Sequence, residues 1–183
     1  MRSNNEMASD KAEVLYFAYG SNLSPTQMKH RCPRSKPVAL AHLPGWEWII
    51  NGRGYANIKP VSTNAEFADV THNYDASVAA GPGVYGVLYR LDPADEEMLD
   101  GFEGVPFAYE KHYLEVDKVK GEGPASGQKF EVLAYVDVKH VQESRPKPEY
   151  VERMNRAIDE AMKDWGLPKA YIDEVMRPFI PKP

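Results

Sequence analysis

The sequence predicts an α+β fold: a curled or barrel-like mixed sheet, a small mixed β-barrel in outline, with peripheral helices. Three features point there. Short runs rich in β-branched and aromatic residues recur along most of the chain. The helix-start signals between them open only short helices. A single long amphipathic helix stands near the C-terminus. One domain is expected over residues 13–183, behind a flexible N-terminal tail, 1–12.

Taken in order, residues 13–19 (EVLYFAY) read as a strand apolar on both faces, ended by Gly20-Ser21-Asn22. Ser24-Pro25-Thr26-Gln27 is helix-start grammar, with Ser24 as N-cap, Pro25 at the first helical position and Gln27 reaching back; Pro33 stops the helix. Residues 37–50 are strand material broken at Pro44-Gly45, and a further strand is expected over 52–59. Residues 60–83 are polar and read as a long loop or an inserted hairpin. A strand follows at 84–91, where Gly86 signals a close backbone approach. Asp92-Pro93 opens an acidic helix running to about Asp100. Residues 109–119 and 129–138 alternate as paired strands around the turn GEGPASG. Tyr150, Met154, Ile158, Met162 and Trp165 make the apolar stripe of a helix over 149–165, closed by Gly166, and a last short helix spans 169–177.

Composition excludes several function classes. With 43% hydrophobic and 27% charged residues in 183, the chain is ordinary globular material. A net charge of −5 argues against a general nucleic-acid binder, which needs a basic excess to neutralise phosphates. The single cysteine, Cys32, has no internal disulfide partner, and no Cys/His cluster has metal-ligand spacing, so no structural metal is expected. MRSNNEMASDKAE lacks the apolar region of a signal peptide, and no apolar run approaches the ~20 residues that span a bilayer. The expectation is a cytoplasmic protein in a reducing compartment, with no membrane partner.

Two segments could carry chemistry. At Tyr19-Gly20-Ser21-Asn22 a strand end, a glycine and a helix start expose backbone amides that suit a carboxylate or a developing oxyanion. The plainer alternative is a turn that needs only glycine's φ freedom. In Leu99-Asp100-Gly101-Phe102-Glu103-Gly104, Glu103 stands between glycines and among Phe102, Val105, Pro106 and Phe107. Such surroundings would desolvate a carboxylate and raise its pKa toward what proton transfer needs. It is also one of sixteen glutamates, and a glutamate just past an acidic helix is ordinarily solvated. Lys29, His30, Arg31, Arg34 and Lys36 form a basic cluster, read either as an anion attractor or as a solvated helix face.

Together, YFAYGSNLS, VYGVLYRLD and LDGFEGV, in that order, resemble the γ-glutamylcyclotransferase family, and KPEYVERMN with the later GLP resembles its C-terminal helix. The likeness covers about residues 13–180. It implies a cofactor-free reaction on a small-molecule γ-glutamyl substrate: the substrate's α-amine attacks its own γ-carbonyl, giving 5-oxoproline and releasing an amine or amino acid. The family's catalytic glutamate matches Glu103. Its substrate-cradling turn matches Tyr16, Phe17, Ala18, Tyr19, Gly20, Ser21 and Asn22, and its C-terminal substrate-contacting tyrosine matches Tyr150. Some members are homodimers, which the resemblance extends to this chain. An intact YGSN favours the γ-glutamylcyclotransferase branch proper over relatives acting on glutathione or γ-glutamyl-amines. A specialised relative processing glutathione or a γ-glutamylated conjugate, and a non-catalytic binder of a small anion or protein partner, are the alternatives. The long 60–83 segment and the Pro-bearing 144–148 segment bear on which substrate fits.

Overall fold

The computed structural model describes residues 14–61, 82–123 and 125–183. The expectations for the N-terminal tail and for most of the 60–83 link lie outside the described residues. Five strands close a barrel in the order β1 (Val14–Ala18), β5 (Val84–Leu91), β2 (Lys36–Leu43), β6 (Glu110–Gly121) and β7 (Lys129–Val136). Neighbours are antiparallel except β7 and β1, which meet in parallel at Tyr16 and Leu133. The barrel is therefore mixed, as the sequence led us to expect. β3 (Trp46–Ile50) and β4 (Ala56–Pro60) form a separate two-stranded ribbon.

Barrel closure depends on close packing between β1 and β5. Phe17 is fully buried, and its ring occupies the space where Gly86 lacks a side chain: a Cβ there would sit 2.5 Å from Phe17 Cε2 and 2.8 Å from the Ala18 carbonyl. This is the close backbone approach that Gly86 signals in the sequence.

Helices pack outside the barrel. Ser24 caps α1 (Pro25–Arg31) by accepting the Gln27 amide, and Asp92 caps α2 (Pro93–Glu103) by accepting that of Ala94. Between β1 and α1 the chain makes one 3₁₀ turn, Ser21–Leu23. Against that turn packs α3 (Pro148–Trp165), which buries Tyr150, Met154, Ala157, Ile158 and Ala161. Met162, expected in this stripe, is 45% exposed. At 100° per residue, three successive four-residue steps carry it about 120° from Tyr150, whereas Ala157 and Ala161 stay within about 20°. After Gly166 the short helix α4 (Lys169–Tyr171) runs into a π-helical turn, Ile172–Met176.

α2 also differs from its expected extent. It continues past Asp100 to Glu103 and is stopped by Gly104, whose φ of 65° is left-handed and whose amide reaches the Asp100 and Gly101 carbonyls. Gly101 sits inside the helix, and Glu103 is its last residue rather than part of a following loop.

We expect Gly86→Ala to destabilise the fold by roughly 1–3 kcal/mol, the usual cost of overpacking. In denaturant melts, Phe17→Leu in the same chain should return part of that loss, the Ala18 carbonyl accounting for the rest. Additive losses from the two substitutions would show that ring and glycine do not share this space.

Candidate active site

Where β1 leaves the barrel, the 3₁₀ turn, the end of α2 and the start of α3 converge on a cavity of about 340 Å³, within the range of small-ligand sites. Of the residues singled out in the sequence, Tyr16, Tyr19, Gly20, Ser21, Asn22, Glu103 and Tyr150 line it. Phe17 and Ala18 do not. Both are fully buried in the barrel: the Phe17 ring is committed to the space beside Gly86, and the short Ala18 side chain stays in the core. From the basic cluster only Arg31 reaches the cavity.

The turn is built by close approach rather than by left-handed backbone. Gly20 has φ −107°, but a Cβ on it would lie 2.9 Å from Tyr150 Oη and 3.1 Å from the Ala56 Cβ. The φ-freedom alternative is thus replaced by a steric one: only glycine lets the phenol this near. The Ser21 amide, one of the donors expected to face a ligand, donates to Tyr150 Oη at 3.2 Å. None of the bonds Tyr150 makes with described residues uses its own proton.

The side chain of Asn22 joins the turn to α2. Its Nδ2 donates to Tyr16 Oη at 3.0 Å and, more distantly, to Glu103 Oε1 at 3.4 Å. Its Oδ1 accepts from Gln27 Nε2 at 2.8 Å and from Arg31 Nη1 at 3.3 Å. Gln27, expected to reach back to the helix cap, spends its amide on Ser21 Oγ and Asn22 instead.

Glu103 is the one carboxylate among the described residues lining the cavity. As a whole residue it is half-buried, since it ends a helix at the mouth, but its carboxyl is enclosed and burial pushes its pKa up to about 7. The guanidinium groups of Arg31, Arg53 and Arg153, in that order, pull it back down. Of the apolar neighbours that suggested this shift only Phe102 lines the cavity, and it is 55% exposed; Phe107 is 85% exposed. The enclosing wall is phenolic instead, made of Tyr16, Tyr19, Tyr109, Tyr135 and Tyr150. Burial raises the pKa of every one of these phenols, so all are neutral at pH 7.

Tyr55, Tyr109, Tyr135, Arg53 and Arg153 were not singled out in the sequence. Arg153 carries a usable signal, standing three residues after Tyr150 and so on the same helix face. Arg53 and Tyr135 carry none, because the barrel and the ribbon bring them in from distant segments.

The chain belongs to the AIG2-like family, whose pattern it matches over residues 83–175. It is 24% identical to the gamma-glutamylcyclotransferase of Homo sapiens over 169 residues, covering 91% of this chain and 79% of the human protein. It is 29% identical to the gamma-glutamylaminecyclotransferase B of Danio rerio over 98 residues, 54% of this chain. That second match spans about half of the zebrafish protein, 47% of its length. A solved structure of a gamma-glutamyl cyclotransferase superposes with a TM-score of 0.65 at 21% identity, over 89% of this chain and 86% of the other. The family is thus AIG2-like, and the fold is that of the solved gamma-glutamyl cyclotransferase. Among the described residues no helix is long and apolar enough to cross a membrane.

The raised Glu103 pKa has a signed consequence for stability. The folded state favours the protonated acid, so ionising it costs folding free energy as pH rises from the unfolded value, near 4.5, through about 7. Glu103→Gln removes that cost. Allowing for solvent at the cavity mouth, its stability relative to wild type should improve by roughly 2 kcal/mol between about pH 4.5 and pH 8, measured by denaturant unfolding at both values. An unchanged difference would mean that the carboxyl ionises as in water.

Proposed function

We propose that the protein is a cytoplasmic γ-glutamylcyclotransferase that cyclises a small γ-glutamyl compound to 5-oxoproline and releases the attached amine or amino acid. The observation that carries this reading is the enclosed carboxyl of Glu103, the one acid among the described residues lining a cavity walled by phenols and guanidinium groups.

The chemistry follows from that setting. The substrate's α-amine is mostly ammonium at neutral pH and is not a nucleophile until a proton leaves. Glu103, ionised in about half the molecules near pH 7, accepts that proton. Glu103 passes that proton to solvent. As the freed nitrogen attacks the γ-carbonyl carbon, Glu103 takes one of its two remaining protons and delivers it to the leaving nitrogen while the bond from the γ-carbon to that nitrogen breaks, leaving the single N–H of the lactam. A group with its pKa near the working pH serves both transfers at little cost. Nucleophile and electrophile lie in one molecule, so no cofactor is required. Holding the chain folded supplies much of the acceleration, since well-oriented systems reach effective molarities of ~10⁵ M and above.

The surrounding groups take complementary parts in this reading. Tyr150, whose oxygen already accepts the Ser21 amide, has its proton to offer a substrate oxygen. A neutral donor aimed at a developing oxyanion is typically worth ~3 kcal/mol. Asn22 orients Glu103, and Tyr16 orients Asn22.

Release of 5-oxoproline from a γ-glutamyl dipeptide, and in parallel from glutathione, tests the proposal. Glu103→Gln should keep the fold and lower release by roughly 10²–10⁴-fold, the usual contribution of a positioned proton-transfer group. Turnover from glutathione alone would move the chain to the conjugate-processing relatives. Normal turnover by the variant would contradict the mechanism.

A further inference from the structure

The strongest feature that cyclotransfer itself leaves unused is Arg53. It sits in the tight turn between β3 and β4, and that turn is fixed from several sides. Fully buried Asn51 accepts the Arg53 and Tyr55 amides through Oδ1. The incoming 144–147 segment bonds to both flanks, Ser144 to the Ile50 carbonyl and Lys147 to the Gly54 carbonyl. The side chain is held as firmly. Its Nε donates to Asp137 at 2.9 Å, and Asp137 is 1% exposed. The guanidinium carbon stands 4.8 Å from the centre of the Tyr109 ring. Asp137 is itself held by Asn51, by the Lys139 and His140 amides, and by the His140 ring.

All this orders a group whose fork is largely unspent. Only Nε is bonded to a described residue, and Nη2, shielded from solvent, has no hydrogen-bond partner. A buried donor without an acceptor is costly, and a guanidinium fork matches a carboxylate with two parallel bonds. A ligand carboxylate is the chemistry that would complete it.

Which carboxylate follows from substrate geometry. In a γ-glutamyl compound the α-amine and α-carboxylate share one carbon, so both must lie beside Glu103. Arg31 is bonded to Asn22, which itself donates to Glu103, so it is placed to take the α-carboxylate. Arg53 lies against Tyr109 and Asp137, on other elements, whereas Arg153, the third cation lining the cavity, is paired with Glu149. We propose that Arg53, fixed by Asp137 and Tyr109, binds a carboxylate on the departing part of the γ-glutamyl compound and so selects leaving groups that are anionic over neutral amines. This assignment rests on the cyclotransfer reading only for the orientation of the substrate.

The test compares two ligands that differ at one group, γ-glutamylalanine and its C-terminal carboxamide. Their binding is measured by calorimetry to Glu103→Gln, which does not turn them over, with and without a second substitution, Arg53→Ala. Because Arg53→Ala leaves Asp137 without its cation, Arg53→Lys is run beside it; it keeps a charge on Asp137 but lacks the fork. Glu103→Gln should bind the carboxylate about ten- to a hundredfold tighter than the carboxamide, the range of a charge-assisted pair. In both Arg53 variants that ratio should fall toward one. The same ratio in parent and variants would overturn the assignment, since Arg53 would then read the γ-glutamyl end or nothing. A ratio near one in the parent, or binding of neither ligand, would overturn it too. Release of 5-oxoproline by protein with Glu103 intact reports on cyclotransfer separately. Its absence alongside the expected binding ratios would sink the enzymatic reading and leave carboxylate recognition standing.

Discussion

The cavity depends on one side-chain amide. Asn22 uses its donor and acceptor ends on four neighbours, and the arrangement has a direction. Arg31 can only donate and the Glu103 carboxylate accepts, which fixes the amide oxygen on the side of α1, where Gln27 also donates, and leaves the nitrogen facing Tyr16 and Glu103. An amide so satisfied has one low-energy orientation. It therefore connects the turn after β1 to the last residue of α2, two segments that barrel closure brings near but does not join. The glycine before it is required for a related reason, because Tyr150 and Ala56 occupy the space where a Cβ would stand.

Around this link the electrostatics divide into two opposing effects. Burial among phenols drives Glu103 toward its neutral form, while three guanidinium groups draw it back toward the ion. Burial is the larger, and the balance falls near neutrality rather than several units above it. Had the wall been aliphatic and uncharged, the carboxyl would remain protonated at pH 7 and accept nothing; had it been open to water, it would be a weak base. The phenols suit this balance, since they exclude water, stay uncharged and supply hydroxyl groups. The guanidiniums also give the cavity a potential that favours anions.

Much of this architecture could be read from the sequence, and the limits were physical. The strand at 84–91, most of that expected at 129–138 (observed over Lys129–Val136), the caps at Ser24 and Asp92, and the close approach at Gly86 were legible because each is a local rule. Tyr150 and Glu103 were legible only as parts of a family pattern, and of the apolar neighbours that made Glu103 attractive Phe102, Pro106 and Phe107 are exposed. The true source of its desolvation, including Tyr109 and Tyr135 from separate strand regions, is a product of topology. Arg53 was invisible for the same reason: its partner Asp137 is 84 residues away, and neither segment alone suggests a cavity. Phe17 and Ala18 show the converse. They lie inside the matched motif, yet both are fully buried in the core, Phe17 against Gly86.

The central claim is that Glu103 exchanges its proton near neutral pH in the free protein, and the most direct test watches that carboxyl alone. With glutamate side-chain carboxyls labelled with ¹³C, the Glu103 resonance is identified by its loss in Glu103→Gln. Its chemical shift is then followed from roughly pH 4 to pH 9, a range spanning ordinary and raised carboxylate values. A titration step near 7, set apart from the other glutamates, is the expected result. A Glu103 resonance that titrates with the solvated glutamates, in their usual range near 4.3, would contradict the account at its base.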